Sequence, residues 1–336
     1  MTFAVVGAGA IGGYLGALLA ESGERVSYIA RGPNLEALRA RGMRVTLEDG
    51  REVAPSGSAA FASCREAGPH DVVLLTVKAH QVAAVAADLQ YLCHDGTSIV
   101  TMQNGIPWWY FHGAGGAFEG RSLESVDPGG AIGRQVDPAR LIGSVVYPAA
   151  SLVSPGVVRV VEGKRFTLGE PGGKITPRLE AISAALTKAG FKAPTTEDIR
   201  GEIWLKLWGN LAFNPLSALT HATLEGMCRF PLTRDLARHM MKEAEAIANA
   251  LGVTFRVDVD KRIAGAEKVG AHKTSMLQDL EQGKAMEIDA LTGAVVELGR
   301  LTNIPTPHID AVYAAVKLLA QSVAAAKGRV VIQAAT

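Results

Sequence analysis

The N-terminal part of the chain alternates short apolar runs with stretches in which apolar residues recur at helical spacing. Phe3-Ala-Val-Val, Arg25-Val-Ser-Tyr-Ile-Ala, Asp71-Val-Val-Leu-Leu-Thr-Val and Ser98-Ile-Val-Thr predict strands. Helices are predicted between them over residues 10–21, 33–41 and 81–92. Strands with no polar alternation suit a sheet covered on both faces, and strand–helix alternation at this spacing predicts a parallel, doubly wound sheet. From residue 141 to 170 the pattern turns to strands over 141–150, 157–161 and 166–168. Ser154-Pro155-Gly156 and Glu162-Gly163-Lys164 separate them and predict hairpins. A helix over 177–189 follows, then almost unbroken helical periodicity over 199–219, 231–251, 275–282, 288–301 and 306–327. The expected fold class is therefore α/β: a Rossmann-type domain over 1–195, followed by an all-helical domain over 196–336.

Within the first strand–helix pair stands Gly7-Ala8-Gly9-Ala10-Ile11-Gly12. GxGxxG alone is a weak signal, but here it leaves a strand and opens a helix. In that setting Gly7 makes the tight turn, Gly9 lets a pyrophosphate approach the backbone, and Gly12 allows close helix–strand packing. The first-turn N–H groups of Ala10 and Ile11 then face the phosphates. The alternative is a glycine-rich packing contact. The second strand ends Tyr28-Ile29-Ala30-Arg31-Gly32, with no acid before Glu36. An NAD site places a carboxylate there, whereas an arginine pairs with a 2′-phosphate. NADP is the expected cofactor, with Arg31 as its phosphate contact; the alternative is a solvated surface arginine.

In the helical half, the segment from Ile203 to Leu219 carries only four polar side chains: Lys206, Asn210, Asn214 and Ser217. An ideal helix gathers them into an arc of roughly 80°. A helix apolar around the rest of its circumference is usually buried, so the stripe must meet other polar groups or a ligand. Lys206 is then a candidate proton donor; the alternative is a lysine on a partly exposed face. Ser275 followed by Gln278 fits a capping box, and Glu287 fits a first-turn helix acid.

Composition narrows the function. Lys+Arg is 34 and Asp+Glu 33, a net charge of +1, which argues against a nucleic-acid or polybasic membrane-surface protein. Residues 3–20 are uncharged, but they are glycine-rich and Glu21 and Glu24 follow, so a membrane span is not expected. Cys64, Cys93 and Cys228 are far apart, and neither they nor the histidines show metal-ligand spacing, so no metal is expected. This usage suits a reducing cytoplasm.

Together these segments resemble the ketopantoate reductase (2-dehydropantoate 2-reductase) family. The similar stretches are the Gly-rich turn, Thr76-Val-Lys-Ala-His-Gln, Gln103-Asn-Gly, Lys206-Leu-Trp-Gly-Asn-Leu-Ala-Phe-Asn-Pro-Leu, Ser275-Met-Leu-Gln-Asp and Glu287-Ile-Asp. The resemblance implies a Rossmann domain joined to a helical domain with the active site in the cleft between them. It also implies NADPH-dependent reduction of a 2-keto acid to a 2-hydroxy acid, a step of pantothenate biosynthesis. On the matching positions, Lys206 is the general acid and Glu287 positions it or binds the substrate's hydroxyl end. Asn104, Asn210, Asn214 and Ser275 are substrate contacts, Ser275 at the carboxylate. Lys78 and Asn104 lie beside the cofactor, and Arg31 meets the 2′-phosphate. The implied partner is a small 2-keto acid; a homodimer is admitted.

Two stretches depart from the family pattern. After Gly105 comes Ile-Pro-Trp-Trp-Tyr-Phe-His and a glycine-rich run to about residue 140, and Gly143-Ser-Val-Val-Tyr-Pro-Ala-Ala replaces a threonine-rich strand. Four successive aromatics would enlarge an apolar wall and favour a bulkier keto acid than ketopantoate. The alternative is that Trp108 and Trp109 pack in the interior. A related dehydrogenase of another oxo or hydroxy acid and a non-catalytic NADP(H)-binding regulator are the competing functions; joint retention of Lys206, Asn210 and Glu287 favours an enzyme.

Overall fold

The computed structural model describes residues 1–333. The chain divides into two compact units. The first comprises Met1–Gln103, Pro107–Ser122 and Gly129–Ile199; the second comprises Asn104–Ile106, Leu123–Pro128 and the chain from Arg200 onward. The division runs near Ile199, and two short excursions from the first half belong with the helical unit. Residues 334–336 of the expected helical domain lie outside the described residues.

The strands of the first unit are β1 (Thr2–Val6), β2 (Arg25–Ile29), β3 (Arg44–Thr46), β4 (Glu52–Val53), β5 (Ala59–Phe61), β6 (Val72–Leu75), β7 (Ser98–Thr101), β8 (Leu141–Val146), β9 (Ala149–Ser154), β10 (Val157–Glu162) and β11 (Phe166–Gly169). Its helices are α1 (Ala10–Glu21), α2 (Gly32–Arg41), α3 (Cys64–Ala67), α4 (Ala83–Ala86) and α5 (Pro177–Lys188). Seven strands form one sheet in the order β11-β8-β7-β6-β1-β2-β5. All its neighbours run parallel except β11 against β8. The strand order reverses between β1 and β6, the doubly wound arrangement that the alternation predicted. A second sheet, β4-β3-β10-β9, packs on the other side of α1. That position explains the uncharged residues 3–20: β1 is central, and α1 is buried against both sheets, with Leu15, Ala17 and Leu19 fully inaccessible. Among the described residues, no helix is long and apolar enough to cross a membrane.

Several expectations change. The predicted strand over 141–150 is two strands, because Tyr147-Pro148 carries the chain from the large sheet into the small one. The Ser154-Pro155-Gly156 hairpin forms between β9 and β10, with Gly156 at φ +75°. Glu162-Gly163-Lys164 turns no hairpin; it returns the chain to the large sheet, where β11 pairs with β8. The helix expected over 81–92 breaks into two 3-10 turns and the short α4, and Leu92 gives its carbonyl to His70 N–H at 2.9 Å.

The second unit is helical: α6 (Ile199–Thr220), α7 (Leu224–Arg229), α8 (Pro231–Ala250), α9 (Val259–Lys268), α10 (Ser275–Glu281), a π-turn over Asp289–Gly293, α11 (Ala294–Thr302) and α12 (Pro307–Ala325). Its longest helix, α6, buries Trp204, Leu207, Trp208, Leu211 and Phe213, as its apolar circumference requires. Trp208 stacks on Phe255 with centroids 4.1 Å apart and donates its indole N–H to Met241 O at 2.6 Å.

Candidate active site

In the first unit, β1 feeds directly into the glycine-rich turn. Gly7 adopts φ +102°, and a β-carbon there would meet Val77 at 2.8 Å. One on Gly12 would lie 2.3 Å from Gly7 O and 2.5 Å from Thr76 Oγ1, so only glycine lets α1 leave the turn at this angle. Over Gly9, by contrast, no atom lies within 4 Å of a built β-carbon. Gly9 is the N-cap of α1 and has no side chain, leaving the first-turn amides of Ala10 and Ile11 uncovered by a cap. A phosphate fits such a helix start. Two residues that the sequence reading passed over hold the turn. Thr76 donates its hydroxyl hydrogen bond to Gly7 O at 2.8 Å, and Asn34 Nδ2 donates to Ala8 O at 2.6 Å while its Oδ1 accepts from Gly156 N at 2.8 Å. An asparagine in the first turn of α2, and a threonine in the motif beside Lys78, were the available signals.

Arg31 is exposed and forms the N-cap of α2, immediately beyond β2, where its guanidinium suits an anionic group. Lys78 follows β6, is partly exposed, and starts the turn in which its N–H donates to Gln81 Oε1 at 3.1 Å.

In the second unit the polar stripe of α6 meets other polar groups. Lys206 Nζ donates to Asn104 Oδ1 at 2.5 Å. The side chain keeps some exposed surface, but its ammonium end is deeply enough buried to push its pKa down from 10.5 to about 8; the Glu287 carboxylate acts in the opposite direction. One turn on, the partly exposed Asn210 shares the face. Buried Asn214 donates from Nδ2 to Ser275 Oγ at 3.5 Å. Ser217, the fourth polar residue, instead donates to Ala222 O at 2.7 Å and closes the end of the helix. Ser275 is not the cap of α10. Thr274 is, its hydroxyl accepting from Leu277 N at 3.3 Å, which leaves the Ser275 hydroxyl at the surface.

Asn104 reaches Lys206 because its loop is docked on the π-turn. Ile106 N donates to Ala290 O at 2.9 Å. Gly105 adopts φ +87°, and a β-carbon there would lie 2.2 Å from the same Ala290 oxygen, so the close approach needs glycine. Glu287 lies just before this helix. The Asp289 carboxylate anchors the turn to α12, accepting from Tyr313 Oη at 2.7 Å and from Lys317 Nζ at 2.9 Å. Along the stripe Lys206 therefore meets Asn104 and Asn214 meets Ser275, with Glu287 acting on Lys206 through its charge.

The aromatic run is interior. Trp108, Trp109, Tyr110 and Phe111 are all buried, and Trp109 donates its indole N–H to Thr101 Oγ1 at 2.9 Å. A β-carbon on Gly143 would fall 2.7 Å from the Trp109 ring, so the altered segment at Gly143 makes the seat for this tryptophan. The expectation of an enlarged substrate wall loses its basis. Among the described residues no group of His, Cys, Asp and Glu could hold a metal.

Comparison with known proteins agrees with both units. The family model described as ketopantoate reductase PanE/ApbA matches residues 3–115, and its C-terminal counterpart matches 198–320. A 2-dehydropantoate 2-reductase of Mesorhizobium japonicum is 56% identical over 322 residues, 95% of this chain and 98% of the relative. A crystal structure from Ralstonia solanacearum MolK2, assigned to the ketopantoate reductases, is 40% identical, with a TM-score of 0.91 over 96% of this chain and 98% of that one. D-mandelate dehydrogenase, solved with NADH and anilino(oxo)acetate, has the same fold at 22% identity and a TM-score of 0.82, over 96% of this chain and all of that one. The chain belongs to the ketopantoate reductase family of pyridine-nucleotide-dependent oxidoreductases.

Proposed function

We propose that the protein is an NADPH-dependent 2-dehydropantoate 2-reductase, reducing the ketone of ketopantoate to an alcohol, with Lys206 as the general acid. The observation that carries this reading is the held and tuned ammonium: Lys206 hydrogen-bonded to Asn104, with a pKa brought down to about 8. A proton donor works best when its pKa lies near the working pH. The name of the 56% identical relative supports the substrate, and the interior packing of Trp108 and Trp109 removes the reason to prefer a bulkier one.

The nicotinamide cofactor, when bound, supplies the hydride. Charge then develops on the ketone oxygen, and Lys206 Nζ transfers a proton to it, leaving a neutral amine and an alcohol. An ammonium carries three donors. Asn104 Oδ1 accepts from one of them. Glu287, by keeping the pKa from falling further, favours the protonated form until transfer. Asn214 and Ser275, joined at 3.5 Å, form a donor pair for the substrate carboxylate, and Asn210 extends the same face. Gly7, Gly9, Gly12 and the amides of Ala10 and Ile11 would hold the pyrophosphate, Arg31 the 2′-phosphate, and Lys78 and Asn104 the nicotinamide side.

The test is loss of nicotinamide absorbance with ketopantoate and a panel of other 2-keto acids, run with NADPH and with NADH. Turnover of ketopantoate with NADPH preferred is the expected result. Absence of turnover with every keto acid would leave a dinucleotide-binding regulator as the better reading.

A further inference from the structure

We propose that the side-chain carbonyl of Gln103 is a cofactor contact, an acceptor for the nicotinamide–ribose half of the dinucleotide. This rests on the dinucleotide-binding reading of the first unit.

Gln103 lies two residues beyond β7. Its Nε2 donates to Leu75 O at 2.8 Å and to Val77 O at 2.9 Å. Backbone carbonyls only accept, so these two bonds fix which end of the amide is nitrogen and use both of its N–H groups. The oxygen is left facing the other way. It is buried and has no hydrogen-bond partner among the described residues. Buried side-chain oxygens are nearly always paired, and an unpaired one on an otherwise fully tied amide points to a missing donor.

Its place in the fold says which donor. Leu75 and Val77 are at the carboxyl end of β6, and Val77 is the residue that a β-carbon on Gly7 would strike. The amide therefore stands one residue's thickness from the glycine-rich turn, at the reversal of strand order where doubly wound sheets bind their ligands. The end of β2, with Arg31, lies on one side of β1; β6 and β7 lie on the other. A dinucleotide with its pyrophosphate on the turn and its 2′-phosphate toward Arg31 extends its other half over β6 and β7. Phosphates bring no donor at neutral pH. The nicotinamide half brings two kinds, the ribose hydroxyls and the carboxamide NH₂, and either matches a neutral carbonyl oxygen.

The experiment compares Gln103→Met with the unaltered protein by calorimetric titration. NADPH affinity should fall about five- to tenfold, while the affinity for adenosine 2′,5′-bisphosphate, which lacks the nicotinamide half, stays unchanged. A second titration, with the 3-acetylpyridine analogue of the oxidised cofactor, assigns the donor. If the variant's defect disappears there, the carboxamide NH₂ is the donor; if it persists, a ribose hydroxyl is. Equal weakening for NADPH and the bisphosphate would overturn the proposal, because the substitution would then have disturbed the turn itself. Unchanged NADPH affinity in the variant would overturn it too, with the cofactor reading intact. If the unaltered protein bound neither ligand, the cofactor reading itself would fail.

Discussion

Replacing Lys206 by methionine separates what the ammonium does for chemistry from what it does to stability. Methionine has nearly the same length and no charge. Burial lowers the lysine pKa from 10.5 in the unfolded chain to about 8 in the folded one. At 1.36 kcal/mol per pKa unit, the folded state gives up about 3 kcal/mol to hold the ammonium at neutral pH. The folded pKa lies below the unfolded one, so the unfolded chain binds more protons between the two values. The penalty is complete below about pH 8, shrinks as the pH rises, and is gone above 10.5. Lys206→Met should therefore be more stable than the unaltered chain at neutral pH, and its advantage should shrink by about 2 kcal/mol between about pH 7 and about pH 9.5. Urea denaturation followed by tryptophan fluorescence measures this, since Trp204 and Trp208 lie on the same helix. Turnover should meanwhile fall by about 10²–10⁴, with nucleotide affinity unchanged. A stability difference that does not vary with pH would refute the desolvated-lysine argument, and near-normal turnover would refute the role as acid.

Glu287→Gln removes the carboxylate that holds the lysine pKa up, so the alkaline limit of kcat should move to lower pH; a pH–rate profile displaced the other way would count against the pairing. Arg31→Asp should weaken NADPH binding about tenfold or more through loss of a charge-assisted contact, with a much smaller effect on NADH, as read by titration of both cofactors. Gly105→Ala sets a β-carbon against Ala290 O at φ +87°, so it should break the Ile106–Ala290 hydrogen bond and lower kcat while leaving nucleotide affinity unchanged.

Long, strongly patterned elements were legible in the sequence. The parallel strands β1, β2, β6 and β7 are unbroken apolar runs, and the glycine spacing announces its own turn. The four polar residues of α6 could be read because nothing else between Ile203 and Leu219 is polar. Lys206 and Asn214 meet polar partners, Asn104 and Ser275 respectively, whereas Ser217 bonds to Ala222 O, a local choice that spacing alone does not reveal. Strands β3, β4 and β5 are only two or three residues long, too short to carry a period of two, so the small sheet went unread. The same is true of its exchange with the large sheet at Tyr147-Pro148, where the apolar pattern runs on while the hydrogen-bonding partner changes. An aromatic run reads identically whether it lines a cleft or fills a core. Only the missing side chain at Gly143, which makes room for the Trp109 ring, decides between them.

The placement of the Lys206 ammonium is set by contacts that no local pattern encodes. Helix α6 fixes the backbone of Lys206 through Trp208, which is stacked on Phe255 and bonded to Met241 O. The direction of the ammonium is fixed from elsewhere, by Asn104, about a hundred positions earlier in the chain. That asparagine is in place because Gly105 and Ile106 lie on Ala290, and Ala290 is in place because Asp289 ties the π-turn to Tyr313 and Lys317 of α12. A π-turn suits this task, since its irregular ladder leaves a carbonyl to accept a bond from outside the helix, and such turns recur at functional sites. The apolar mass of α6 offsets the energetic cost of a buried charge, and the Asn104 loop, the π-turn and α12 determine where that charge points. A substitution at Tyr313 or Asp289 is accordingly expected to act on kcat through the orientation of Lys206, although neither residue hydrogen-bonds to it.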